Sequence, residues 1–205
     1  MVREEIIKKA YLCIDEVYPD SSNQDISAFN IDTFLDQAAK IIVKVVPLRA
    51  LDEGTNFAYS SSAFLVSFED GVGRIKLPDN FLRLVSFKVS DWKYSITEAL
   101  DESSPRYHQQ YNPILRGTPC RPVVFITRGG QYLEFYTTNE DATLDNNNWL
   151  DIFSGIAFDA VDESYPIKLI DITAWKTAEL VLSAMNDVTA AQICEAKTQE
   201  ILQTL

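Results

Sequence analysis

The chain has 205 residues, 46% hydrophobic and 11% aromatic, which is long enough to bury one good core. With 23% charged residues and no low-complexity tract or repeat, it reads as folded rather than disordered. The net charge of −12 argues against a surface that clings to nucleic-acid phosphate, because such affinity comes from Lys and Arg.

From Val2 to Val17, Ile6, Ala10, Ile14 and Val17 recur at helical spacing, and Glu4/Lys8 and Glu5/Lys9 are supportive four-apart pairs. The pattern predicts an amphipathic helix ending near Pro19. A second helix is expected after Asn30 as N-cap, with Ile31, Phe34, Ala38, Ile41 and Val45 as its apolar stripe and Asp32, Asp36, Lys40 and Lys44 as a charged row. Pro47 stops it.

The period then changes. Val85, Phe87 and Val89 alternate with Ser86, Lys88 and Ser90, as a half-buried strand should. Further strands are predicted at Ala63–Phe68, Arg74–Leu77, Pro122–Thr127, Gln131–Thr137 and Gly155–Val161, with turns at Asp70-Gly71 and Gly129-Gly130. An antiparallel sheet of about five or six strands is the simplest assembly. Ser104-Pro105 opens a short helix that runs to Tyr111 and stops at Asn112-Pro113.

After Pro166 the helical period returns through Ile167, Ile170, Ala174, Ala178, Val181 and Met185. It resumes with Ala190, Cys194, Lys197 and Ile201 beyond a break at Asn186-Asp187. The expected fold is therefore α+β: a helical core of two N-terminal and two C-terminal helices with an antiparallel β-rich insertion. A single domain over 1–205 is expected, divided into a helical pair (1–50), the insertion (51–165) and the C-terminal helices (166–205).

The amino terminus has no secretory pattern, and the longest near-continuous apolar stretch, Ile41 to Val46, is far short of a membrane span. Three scattered cysteines, Cys13, Cys120 and Cys194, suit reduced thiols packed as small apolar residues in a cytoplasm.

Chemistry is thinly supported. His108 is the single histidine and has no triad or metal spacing around it. The segment from Asp141 to Asn148 is rich in oxygen ligands but lacks the register and closing glutamate of a calcium loop. Gly71-Val72-Gly73-Arg74 is a hairpin turn rather than a dinucleotide fingerprint. Arg116, Arg121 and Arg128, interleaved with Tyr111, Phe125 and Tyr132, suit sheet packing better than single-strand stacking, given the net acidity. No catalytic, cofactor or metal site is expected. Between Thr137 and Tyr165 the chain carries Glu140, Asp141, Asp145, Asp151, Asp159, Asp162 and Glu163 with no Lys or Arg, which makes one surface strongly negative.

Two stretches resemble a known family. The first runs from Arg74 to Ser86 and holds Leu77, Pro78, Phe81 and Leu82 in a Leu-Pro-x-x-Phe turn. The second runs from Gly117 to Tyr136 and reads as Gly, Pro, an aromatic strand, a Gly turn and a Leu-x-aromatic strand. Both resemble the head-to-tail adaptor proteins of tailed phages, and the acidic, asparagine-rich style is similar to ring proteins of crAss-like phages. Pro78, which has no N–H for a ladder, would end a strand, with Phe81, Leu82 and Leu84 anchoring the turn after it.

The resemblance implies a structural virion protein at the head–tail junction. It would form a ring of about twelve copies, assembled in the bacterial host cytoplasm, that docks on the portal and extends the DNA channel. Its partners would be further copies of itself, the portal and other tail ring proteins, with DNA passing without specific binding. Ala190, Cys194, Lys197, Ile201 and Leu205 are the expected portal contact. Glu140, Asp141, Asp145 and Asp151 are the expected acidic channel or interface loop, where carboxylates would repel DNA phosphate. The rival readings are a collar or tail-barrel ring protein and a glycan-binding module built on Tyr132, Tyr136, Trp92 and Trp149. A metal-dependent hydrolase is weaker still.

Overall fold

A computed structural model describes residues 2–17, 31–51, 56–58, 65–112, 114–136 and 150–205, with the backbone alone considered at 56–58, 65, 66 and 68. The fold is α+β. Its elements in chain order begin with helices α1 (Val2–Val17) and α2 (Ile31–Val45). The strands follow: β1 (Asn56–Ala58), β2 (Leu65–Glu69), β3 (Val72–Lys76), β4 (Phe81–Val89) and β5 (Leu100–Asp101). After the short helix α3 (Pro105–Gln109) come β6 (Val124–Thr127), β7 (Tyr132–Tyr136) and β8 (Leu150–Ala157), then helices α4 (Ile170–Ala184) and α5 (Val188–Thr204).

The packing separates into two compact units. One joins residues 1–55 with 158–205, and the other spans Asn56–Ala157. The β unit is thus narrower than the expected insertion over 51–165, and the helical unit is split around it in sequence. The last expected strand, Gly155–Val161, is instead Leu150–Ala157. Beyond it Phe158, Val161 and Tyr165 are buried in the helical unit, where the Tyr165 hydroxyl meets Thr173 Oγ1 at 2.6 Å and the Val161 N–H donates to Asp36 at 3.0 Å.

In the helical unit α4 is central and packs on α1, α2 and α5. Its buried set, which includes Ile170, Ile172, Thr173, Ala174, Thr177, Ala178, Val181 and Leu182, extends well around its circumference. A helix apolar on most sides belongs in the middle of a core. Ile167, expected on this face, precedes the helix and is 78% exposed. On α2 the inward stripe is Ile31, Leu35, Ala38, Ala39, Ile42 and Val43, rotated from the expected one, and Val45 faces out. The doublets Phe34-Leu35 and Ile41-Ile42 allow two overlapping stripes, and packing selects one. Arg3 of α1 clamps α2, donating from Nε to Asp32 at 2.7 Å and from Nη1 to Asp36 at 2.8 Å.

The β unit contains two sheets rather than one. A three-stranded sheet has the order β1-β8-β4, and a five-stranded sheet has the order β2-β3-β7-β6-β5, antiparallel except for the β5–β6 pair. The Leu77–Pro78 turn carries the chain from one sheet to the other. The Leu77 N–H donates to Gln131 O at 2.8 Å and the Phe81 N–H to Pro78 O at 3.0 Å, and Leu77 is buried. Phe81 packs half-buried against the core and Leu84 is buried within it, whereas Leu82, expected as a further anchor, is half-buried and lies outside that cluster. On β4 the bulge between Leu84 and Ser86 breaks the expected alternation, so Leu84, Phe87 and Val89 face inward and Val85 does not.

Phe87 lies at the centre of the core between the sheets, with ring centroids 5.2 Å from Phe135, 5.4 Å from Trp92 and 5.8 Å from Phe153. Asp70 and Gly71 close the β2–β3 hairpin in the left-handed region (φ 52° and 73°), and Arg128, Gly129 and Gly130 do the same between β6 and β7.

Candidate functional site

The outer face of the five-stranded sheet is covered where α3 lies over it. Glu134 on β7 sits opposite Arg74 on β3 and is 4% exposed. A buried carboxylate is tolerable only when its oxygens are occupied. Arg74 Nε donates to Glu134 Oε2 at 2.8 Å, and the Tyr136 hydroxyl donates to Oε1 at 2.5 Å. Burial, and then this bond to Glu134, pushes the Tyr136 phenol up, and the same carboxylate raises Arg74. Tyr107 of α3 packs on Phe125 with centroids 5.1 Å apart, and burial raises its phenol to about 12.

Beside this cluster the segment after α3 forms a groove of about 650 Å³, lined in part by Arg106, Gln110, Ile114, Leu115, Arg116 and Arg121. Its walls are tied down. Gln110, buried, donates from Nε2 to Arg106 O at 2.9 Å and accepts the Gly117 N–H at 2.7 Å. Arg116 donates from Nη1 to Asp70 O at 2.9 Å and lies 5.6 Å over the Tyr136 ring. The Asn112 turn, whose Oδ1 accepts the Ile114 N–H at 3.0 Å, holds Tyr111, Ile114 and Leu115 outward at 75%, 89% and 55% exposure. From Ser103 to Leu133 the chain carries four arginines and no Asp or Glu. Sequence reasoning saw part of this in the interleaved Arg116, Arg121 and Arg128. The missing signal was the acid-free run itself, and that run was legible.

The residues expected to touch a portal are divided by α5. Ala190 (4% exposed) and Cys194 (0%) face the helical core, as does Thr198, so they complete that core rather than form a contact surface. Lys197 is exposed, and Ile201 and Leu205 are half-buried. The outward side of the helix instead presents Thr189, Gln192, Ile193, Ala196, Lys197 and Glu200 around a shallow groove of about 330 Å³. Asp187 caps the helix by accepting the Ala190 N–H at 3.0 Å, just after Asn186 turns into the left-handed region at φ 61°.

Of the expected acidic loop, Glu140, Asp141 and Asp145 lie outside the described residues. Asp151 is not in a loop: it is on β8, 2.6 Å from Lys88 across the strand pair. Among the aromatics proposed for glycan stacking, Trp92 and Tyr136 are core residues, with Trp92 Nε1 donating to Tyr136 O at 2.9 Å. Tyr132 is half-buried under Arg128, and Trp149 lies outside the described residues.

His108 is exposed on α3 beside Tyr107. Cys13 and Cys194 are buried as expected, whereas Cys120 is exposed in the Thr118–Arg121 turn. Among the described residues no group of His, Cys, Asp and Glu is arranged to hold a metal, and no helix is long and apolar enough to cross a membrane. No protein-family model matches the chain, and no curated protein matches it.

Proposed function

We propose that the chain is a structural virion protein that forms a ring between the portal of a tailed-phage capsid and the tail, extending the channel through which DNA leaves. The observation that carries the proposal is the layout. A helical unit is interrupted in sequence by a β unit, and the Leu77–Pro78 and Phe81 turn lies where the chain changes sheets. That turn and that order are the features that resemble adaptor proteins.

A helical unit and a two-sheet β unit give a subunit two distinct surfaces, and a ring whose subunits contact head to tail requires two. The negative balance of −12 suits a wall past which duplex DNA slides without sticking. With Ala190 and Cys194 turned inward, the portal-facing candidate on α5 becomes the outward side around Ile193, which is 46% exposed.

The test is the mass of the purified chain alone and mixed with the portal protein. A many-copy assembly, either spontaneous or formed on the portal, is expected. A stable monomer that ignores the portal and binds glycan would sink the proposal.

A further inference from the structure

We infer that the arginine groove of the β unit is one half of a head-to-tail contact between copies of this chain, its occupant being the acidic turn of a second copy's helical unit. The inference rests on the ring reading above and names the contact that would close the ring. Charge complementarity identifies the occupant. Residues 1–55 and 158–205 carry 18 Asp and Glu against 9 Lys and Arg, a net of −9, so the helical unit holds most of the chain's negative charge.

Arg106, Arg116 and Arg121 line a groove inside the acid-free run, and no carboxylate pairs with Arg106 or Arg121 among the described residues. Guanidinium groups present planar forks that match carboxylates, and Arg and Tyr are the residues in which protein interfaces are enriched. Ile114 and Leu115 stand out from the same rim at 89% and 55% exposure, an apolar pair fixed by the Asn112 turn with nothing packed over it among the described residues.

The helical unit presents the complementary mixture. Asp159, Asp162 and Glu163 are exposed in the turn before α4, and Ile167 follows at 78% exposure. The turn is pre-shaped, since Asp162 Oδ1 accepts both the Ser164 N–H at 2.8 Å and the Ser164 hydroxyl at 2.6 Å. Carboxylates meeting Arg106 and Arg121 while Ile167 covers Ile114 and Leu115 would bury the apolar rim and leave the charges at its edge. There they steer encounter and set register. Because groove and turn are different surfaces of one chain, the contact is heterologous, the kind from which rings are built.

The test uses two full-length variants. Arg106→Glu/Arg121→Glu breaks the groove and leaves the turn intact. Asp159→Asn/Glu163→Gln removes the charge of the turn, gives the reversed groove no cation to pair with, and leaves the groove intact. Arg116 and Asp162, which hold backbone, are untouched, and circular dichroism checks that both variants fold. Measured by sedimentation, alone or on the portal, each variant should self-associate at least about tenfold more weakly than the wild type. An equimolar mixture should give a one-to-one pair, because one intact groove then meets one intact turn.

Variants that assemble as well as the wild type overturn the groove contact and leave the ring reading standing. A mixture that yields no pair also overturns the contact. A pair that forms while the wild type ignores the portal keeps the contact and sinks the connector reading. A labelled single-stranded oligonucleotide bound by the wild type and released by the arginine substitutions would overturn the assignment of a protein occupant. No such binding is expected.

Discussion

The Tyr136 hydroxyl donates to the Glu134 carboxylate at 2.5 Å beneath the α3 cover, two residues apart on one face of β7. Hydrogen bonds to charged groups contribute more than neutral ones, and a buried carboxylate that loses a donor keeps its desolvation cost. Tyr136→Phe should therefore cost about 1–3 kcal/mol in guanidinium unfolding at pH 7. The phenol's folded pKa is raised above its ordinary value of about 10, so this stabilisation is whole below pH 10 and is lost as pH rises beyond it. The gap between wild type and variant should narrow above pH 10, and a gap that widens there would refute the buried-phenol account.

The clamp of α1 on α2 responds to the opposite end of the pH scale. Burial pushes the Asp36 carboxyl up, but its bonds from Arg3 and the Val161 N–H outweigh that and hold it below the usual carboxylate range. A depressed folded pKa stabilises above the unfolded value of about 4 and is lost as pH falls through the folded one. Asp36→Asn should cost about 1 kcal/mol at pH 7, discounted because both partners are about one-third exposed. That difference should shrink in urea melts as pH falls below about 4 and through the lowered folded pKa.

Gly73 has a single structural reason. A Cβ there would lie 2.0 Å from Cζ of the Phe135 ring, which is fully buried and packed on Phe87 and Trp92. Gly73→Ala should cost about 1–3 kcal/mol as overpacking. Phe135→Leu should cost less in the Gly73→Ala background than alone, since the smaller side chain relieves the clash. Additive effects in that double-mutant cycle would show that the two positions do not meet.

Much of the fold was legible because its signals are local. The stripe of Ile6, Ala10 and Ile14, the Asp70-Gly71 and Gly129-Gly130 turns, and the Asn186-Asp187 break each depend on neighbours a few residues away. The two sheets were not legible. Which strands pair is a long-range matter, β5 is two residues long, and the bulge at Leu84–Ser86 moves a face without altering composition. The rotated stripe on α2 has the same origin, because doublets such as Ile41-Ile42 satisfy either face until α4 is present. At the candidate site the arginines could be read from the chain, but the groove could not. Its walls depend on Gln110 reaching Gly117 and Arg116 reaching Asp70.

The orientation of α5 decides which of its residues can meet another protein, and thiol chemistry reads that orientation directly. Cys120 is exposed, while burial pushes the Cys13 and Cys194 thiols up to about 11 and about 12, which starves both of thiolate at neutral pH. An aromatic disulfide reagent at pH 8 should therefore modify Cys120 quickly and the other two only on unfolding. A cysteine placed by Ile193→Cys, one step round the helix on the outward side, should react at a rate close to that of Cys120. Because adjacent helical positions point about 100° apart, the contrast between 193 and 194 fixes the face. Rapid labelling of Cys194 in the folded chain would turn the helix the other way and return Ala190 and Cys194 to the surface as the docking face.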